Sequence, residues 1–273
     1  MINLGVMQGR LIPWNKKKIQ FFPIKDWEKE FSICNSIDLK CIEWTIDHYR
    51  IELNPIMTRL GRNSIKLLKK KHKIILNSVT ADFFMQRPFF KYKKKEMALC
   101  KKLFNRFIIN ASLCDFDCII LPLVDNSSLK NNFHENLLIN FLQKVSRVLK
   151  KYKIKIAIES DYEPHKLKKF ISKFDSKYIG INYDMGNSAA LGYSFDEEMS
   201  CYFSHILNVH IKDKDFKGKS VELGKGLINL KKIIKFFKEK KFNGNMIFQT
   251  ARVTNGNDAL QIRKYKDKVL KWI

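Results

Sequence analysis

The chain has 273 residues, 45% of them apolar, which suits a sizeable buried core and excludes a disordered polyelectrolyte. Its formal net charge of +25 would suit a nucleic-acid ligand, but 43 of the 52 basic residues are lysine and only 9 are arginine. Phosphate-reading surfaces favour the bidentate arginine fork, so the excess reads as lysine on solvated helix faces, and no nucleic-acid partner is expected.

No run of about 18 apolar residues occurs, so no membrane span is expected. The opening stretch MINLGVMQGRLI is interrupted by Gln8 and Arg10 and does not read as a signal peptide. Six cysteines without CxxC spacing fit free thiols and a cytoplasmic location.

The first strand-length run is INLGVM (2–7), followed by a helix over 26–37, where Trp27, Phe31 and Cys34 recur at helical spacing. CIEWTI (41–46) leads to a helix over 61–72, KIILNSV (73–79) to one over 94–114, and CIILPLV (118–124) to one over 135–152. In that last helix Val145, Val148 and Leu149 form the apolar stripe and leave lysine and arginine outward. KIAIES (155–160), IGINYD (179–184), ILNVHI (206–211) and NMIFQT (245–250) complete the series. They alternate with helices over 164–174, 196–205, 229–241 and 256–272.

Runs this dense in Ile, Val and Leu suit parallel strands covered on both faces. Eight of them alternating with eight helices predict the α/β class and a single (β/α)8 TIM barrel spanning residues 1–273. A doubly wound sheet that binds a dinucleotide would carry GxGxxG after its first strand, where this chain has MQGRLIP.

In such a barrel the chemistry gathers where the strands end. Gln8 and Arg10 follow the first strand, Glu43 and Asp47 the second, and Asp82 the third. The last four strands end on Glu159, Asp184, His210 and Gln249, followed by Asn187, Lys212 and Arg252. One polar residue at a strand end usually just satisfies neighbouring backbone groups. Recurrence on four successive strands, with carboxylate, imidazole and amide donors, points to a divalent-cation site. The two glycines of LGKG (Gly224, Gly226) read as a turn.

The segments IAIES, INYDMGN, NVHIKDKD and VELGKGLIN resemble the xylose-isomerase-like TIM-barrel superfamily of sugar-phosphate isomerases and epimerases. That superfamily also contains metal-dependent apurinic endonucleases. The resemblance implies a divalent ion held by Glu, Asp, His and Glu from the last four strands. Glu159, Asp184 and His210 match, and Gln249 departs from the pattern. Mn²⁺, Mg²⁺ or Co²⁺ suits this oxygen-rich set best, with Zn²⁺ also compatible. Asn187 stands where the epimerases often carry histidine. The endonucleases need a cluster of about three metals, whereas His210 alone among the six histidines ends a strand run here. VMQGRL and QTAR resemble proteins found among surface-polysaccharide genes.

The implied function is a divalent-metal-dependent sugar or sugar-phosphate isomerase working through an enediolate, with a small-molecule sugar or sugar phosphate as its partner. Glu159 is the expected base and Gln249 its catalytic counterpart, while Gln8, Arg10, Glu43, Asn187, Lys212 and Arg252 are expected around the substrate. An amide cannot exchange a proton near neutral pH, so Glu159 alone suits a one-face isomerisation. Epimerisation would need a second acid, for which Lys212, Glu43 and Asp47 are candidates. A catalytically weakened sugar-binding barrel is the remaining alternative.

Overall fold

The structure, a computed structural model, describes residues 2–14, 18–253 and 256–273. Its strands in chain order are β1 (Asn3–Met7), β2 (Cys41–Thr45), β3 (Ser78–Thr80), β4 (Cys118–Leu123) and β5 (Lys155–Ser160). They continue with β6 (Ile179–Asp184), β7 (Ile206–Ile211), a short hairpin of β8 (Asp213–Lys214) and β9 (Ser220–Val221), and β10 (Asn245–Phe248). All but β8 and β9 are parallel and close into a barrel in the order β1-β10-β7-β6-β5-β4-β3-β2.

Among the described residues ten α-helices surround it: α1 (Lys29–Ser36), α2 (Arg59–His72), α3 (Asp82–Gln86), α4 (Lys94–Ser112) and α5 (Asn132–Tyr152) on one half. The other half carries α6 (Pro164–Ile171), α7 (Met185–Ala190), α8 (Phe195–Tyr202), α9 (Leu230–Glu239) and α10 (Asp258–Leu270). Local chemistry sets their ends. The Asn131 side chain accepts from the His134 amide at 2.9 Å and starts α5, and Lys153 in the left-handed region (φ 54°) stops it. Between those ends Leu138, Leu142, Val145 and Leu149 are buried against the sheet.

The third strand begins later than the run KIILNSV suggests. Lys73 ends α2 with φ 54°, Ile74 and Leu76 pack into the core, and Ile75 between them makes only an isolated parallel bridge to Cys41. The ladder with β4 then runs over Ser78–Thr80. The short helices α3 and α7 and the β8–β9 hairpin lie in stretches where the sequence suggested only connections. Elements of two to six residues leave too little periodicity to detect.

The strand period of two separates two environments. Ile156 and Ile158, Ile181 and Tyr183, Val209 and Ile211, and Met246 and Phe248 belong to the main core outside the sheet. Their alternates point into the lumen, where the apolar residues form two small clusters, Met7–Cys41–Ile247 and Cys118–Ile120–Ala157. The lumen is tight: a Cβ on Gly5 would come within 2.7 Å of Ile247 Cδ1 and 2.9 Å of Cys41 Cβ. The same alternation sends Glu43, Ser78, Asn182, Asn208 and His210 inward, and all five are buried. A polar layer therefore closes the barrel directly beneath its C-terminal mouth.

Candidate active site at the barrel mouth

Glu159 from β5, Asp184 from β6 and His210 from β7 converge. One ligand atom from each lies within 4.8 Å of the others, and all three residues are buried. His210 Nδ1 is 3.3 Å from Glu159 Oε2 and 3.9 Å from Asp184 Oδ2. The opposite ring nitrogen, Nε2, is 2.7 Å from Glu43 Oε1. A carboxylate on the far side of an imidazole fixes its orientation and leaves the near nitrogen for a cation.

Glu43 lies beneath the triad and is fully buried. Its carboxylate also accepts from Ser78 Oγ at 2.6 Å and Asn208 Nδ2 at 3.0 Å. Its oxygens are thus committed to the polar layer. Asn208 also donates to Asn182 Oδ1 at 2.8 Å, which turns the Asn182 amide nitrogen toward Glu159 Oε2 (2.9 Å) and His210 Nδ1 (3.1 Å). Nδ1 thus faces Glu159 and Asp184 as well as Asn182, and a proton carried there is the one a cation would displace.

Asp184 divides its two oxygens between roles. Oδ1 caps α7 by accepting from the amides of Gly186 (3.0 Å) and Asn187 (2.8 Å), while Oδ2 receives Lys212 Nζ at 2.7 Å. The Asn187 side chain then reaches Glu159 Oε1 at 2.8 Å. Burial pushes the Asp184 carboxyl up, but Lys212 and His210 outweigh it and hold the group below the usual carboxylate range. Burial opposes charge on His210 as well, yet Glu43 and Glu159 raise its pKa from 6.5 to about 10.

Above the triad opens a cavity of about 870 Å³, with Glu159, Asn187, Lys212, Gln249 and Asp82 in its wall. Gln249 follows β10, is buried, and donates through Nε2 to Gln20 Oε1 at 2.8 Å. Its carbonyl oxygen is buried and accepts no hydrogen bond among the described residues. Two carboxylates and an imidazole within 4.8 Å of one another are donors that a divalent cation takes, and an unpaired buried acceptor in the cavity that Glu159 also lines suits it too, so the residues present fit such an ion.

The remaining residues singled out from the sequence lie elsewhere. Gln8 is buried and accepts from the Thr45 amide at 3.0 Å, joining β1 to β2. Arg10 is buried and donates to the carbonyls of Thr250 (3.0 Å) and Ile19. Arg252 pairs with Asp258 at 3.2 Å and donates to the carbonyls of Ile12 and Ile19, both at 3.2 Å, and to that of Gly9. Burial, reinforced by Arg252, lowers the Arg10 pKa to about 9. Both guanidiniums thus anchor the loops after β1 and β10 from within. Asp213 gathers the LGKG turn, accepting from the amides of Gly224 and Gly226, each at 2.9 Å.

Asn182 and Asn208 were not anticipated. They stand two residues before Asp184 and His210, so the strand period alone would have aimed them inward. Gln20 lies in an irregular loop that offers no such signal.

A closed parallel barrel with an acid–histidine cluster at its C-terminal mouth defines a class of enzyme-bearing folds. The chain belongs to the xylose isomerase-like TIM barrel family, whose family model matches residues 76–268. An uncharacterised protein of Methanocaldococcus jannaschii is 24% identical over 147 residues, 50% of this chain and 48% of the relative, so the match spans about half that relative's length. Among solved structures, the IolI protein with a bound zinc atom superposes with a TM-score of 0.74 at 16% identity, covering 99% of each chain. D-psicose 3-epimerase in the presence of D-fructose gives 0.74 at 12% identity, covering 99% of this chain and 97% of that one. At these identities the two structures speak for the fold. Among the described residues, no helix is long and apolar enough to cross a membrane.

Proposed function

We propose that this protein is a divalent-metal-dependent sugar or sugar-phosphate isomerase that moves a proton at the carbon beside the substrate carbonyl, through an enediolate. The convergence of Glu159, Asp184 and His210 within 4.8 Å, with Glu159 in the wall of the mouth cavity, carries this reading. Those three, with the Gln249 carbonyl oxygen, would hold Mn²⁺, Mg²⁺, Co²⁺ or Zn²⁺. Such an ion supplies Lewis-acid polarisation of a substrate carbonyl.

The chain's own groups divide the remaining work. Glu159 is the base, its oxygens held by Asn182 and Asn187 in the cavity wall. Lys212 offsets the charge of Asp184 and stands at the cavity wall with Lys214 and Lys219, where a phosphate or polar sugar end would meet positive charge. Gln249 contributes a neutral oxygen and no exchangeable proton. With one carboxylate base, aldose–ketose isomerisation on a single face is the simplest reaction the set supports.

The test is incubation with Mn²⁺ in deuterated water with ketoses and their phosphates. Deuterium incorporation by the wild type, lost in Glu159→Gln with the fold intact, is the expected result. Saturable sugar binding without any exchange would identify a non-catalytic sugar-binding barrel instead.

A further inference from the structure

Gln249 leaves the site one titratable group short for chemistry on both faces of a carbon, and the groups first considered for that task are engaged elsewhere. Glu43 lies beneath the triad in contact with His210, Ser78 and Asn208. Asp47 accepts from the Phe22 amide at 2.7 Å and from Gln86 Nε2 at 2.6 Å, and it lines a separate cavity with Phe22 and Tyr49. Lys212 is paired with Asp184.

We propose that Asp82 is the second acid–base residue of this site, delivering a proton to the substrate face opposite Glu159, so that the enzyme epimerises. The inference rests on the reading of Glu159 as base and extends the reaction from one face to two. Asp82 opens α3 immediately after β3, is 5% exposed, and lines the same cavity as Glu159 and Gln249. The triad occupies the neighbouring strands β5, β6 and β7, with Gln249 following β10, the next strand round. Strand β3 stands across the barrel from β7 and two strands from β5, so Asp82 enters the cavity from a wall that the triad does not occupy.

Its carboxyl is also positioned by contacts that lead back to residue 249. Oδ1 accepts from Thr80 Oγ1 at 2.8 Å, and Oδ2 accepts from Gln20 Nε2 at 2.7 Å. Gln20 Oε1 in turn accepts from Gln249 Nε2. The amide at 249 is thereby joined through one more amide to a carboxyl that can titrate. Burial, then the charges of Asp47 and Glu159, lift Asp82 to about 6 against the lowering bonds from Thr80 and Gln20. Asp82 in turn acts on the buried Arg10, favouring its charged form. A carboxyl poised near neutrality suits a general acid.

The step balances without a co-reactant. Glu159 takes the carbon-bound proton, and the electron pair of that bond passes toward the adjacent carbonyl oxygen to give the enediolate. The pair returns as the new carbon–hydrogen bond forms on the other face with the proton of Asp82, whose carboxylate remains. Exchange with solvent then resets both carboxyls.

The experiment incubates wild type, Asp82→Asn and Asp82→Glu, each with Mn²⁺, in deuterated water with D-fructose, D-psicose, D-tagatose and their 6-phosphates. Wild type is expected to give an epimer carrying deuterium at the inverted carbon. Asp82→Asn should lose inversion by about a hundredfold or more while keeping Glu159-dependent exchange with retention, and Asp82→Glu should recover part of it. Unchanged Mn²⁺ affinity in Asp82→Asn separates this outcome from a folding defect, which would remove exchange and inversion together. A second readout needs no variant: the wild-type inversion rate should fall as Asp82 loses its proton above about pH 6. Equal inversion in wild type and Asp82→Asn, or wild-type exchange with retention only, would overturn the role of Asp82 and leave Glu159 as base. Absence of any exchange in wild type would overturn both readings.

Discussion

Replacing Glu43 with glutamine should change the site without touching a candidate ligand. In the wild type without a cation, Glu43 and Glu159 raise the His210 pKa from 6.5 to about 10 against the effect of burial. At about 1.4 kcal/mol per unit, that rise corresponds to roughly 5 kcal/mol of preference for the protonated ring. The folded value exceeds the unfolded one, so this stabilisation is fully present below pH 6.5 and is lost as pH rises to about 10. A cation must displace the ring proton, so its affinity should rise with pH across the same window.

Glutamine has nearly the same shape but no charge. It presents an amide donor to a pocket that already supplies donors from Ser78, Asn208 and His210. In Glu43→Gln, burial should therefore dominate, leaving His210 neutral at pH 7. The stability slope between pH 6.5 and 10 should flatten, and so should the rise of Mn²⁺ affinity with pH across that window, because no ring proton is left to displace. Nitrogen-detected NMR of the imidazole across a pH titration, with urea unfolding at matched pH values, reads each effect directly. A His210 that still titrates near 10 in the variant would refute the assignment of Glu43 as the group that charges the ring.

Arg252→Met should cost roughly 3–5 kcal/mol of stability, because it strands the buried Asp258 carboxylate, and should leave sugar binding per folded molecule unchanged; denaturant unfolding and calorimetry check the two parts. Gln249→Glu should tighten Mn²⁺ binding by about tenfold or more by adding an anionic oxygen donor, measured by calorimetric titration. Glu30 is buried, its Oε1 accepting from the Gly9 amide at 2.7 Å and the Leu11 amide at 3.2 Å, and burial lifts its pKa from 4.5 to about 8. For a carboxyl raised in the folded state, stability is highest below pH 4.5 and declines as pH rises to about 8, so Glu30→Gln should remove that decline in urea unfolding across the window.

The alternation of buried runs with amphipathic helices was legible in the sequence by itself, and with it the parallel barrel and the residues on which its strands end. That information is local. A strand covered on both faces must be apolar along its length, and its period of two places Glu159, Asp184 and His210 on one side of the wall. What those residues touch was decided only by the tertiary structure, because each partner comes from a distant part of the chain. Glu43 supports His210 across 167 positions, and Gln249 meets Gln20 across 229. Arg10 and Arg252 look identical in sequence to mouth cations, yet closure of the barrel turns both inward onto backbone carbonyls and Asp258. Asp82 stands in the cavity wall for the same reason: β3 and the loop holding Gln20 meet only when the ring of strands is complete, and the electrostatic character of a buried carboxyl follows from the groups that closure places around it.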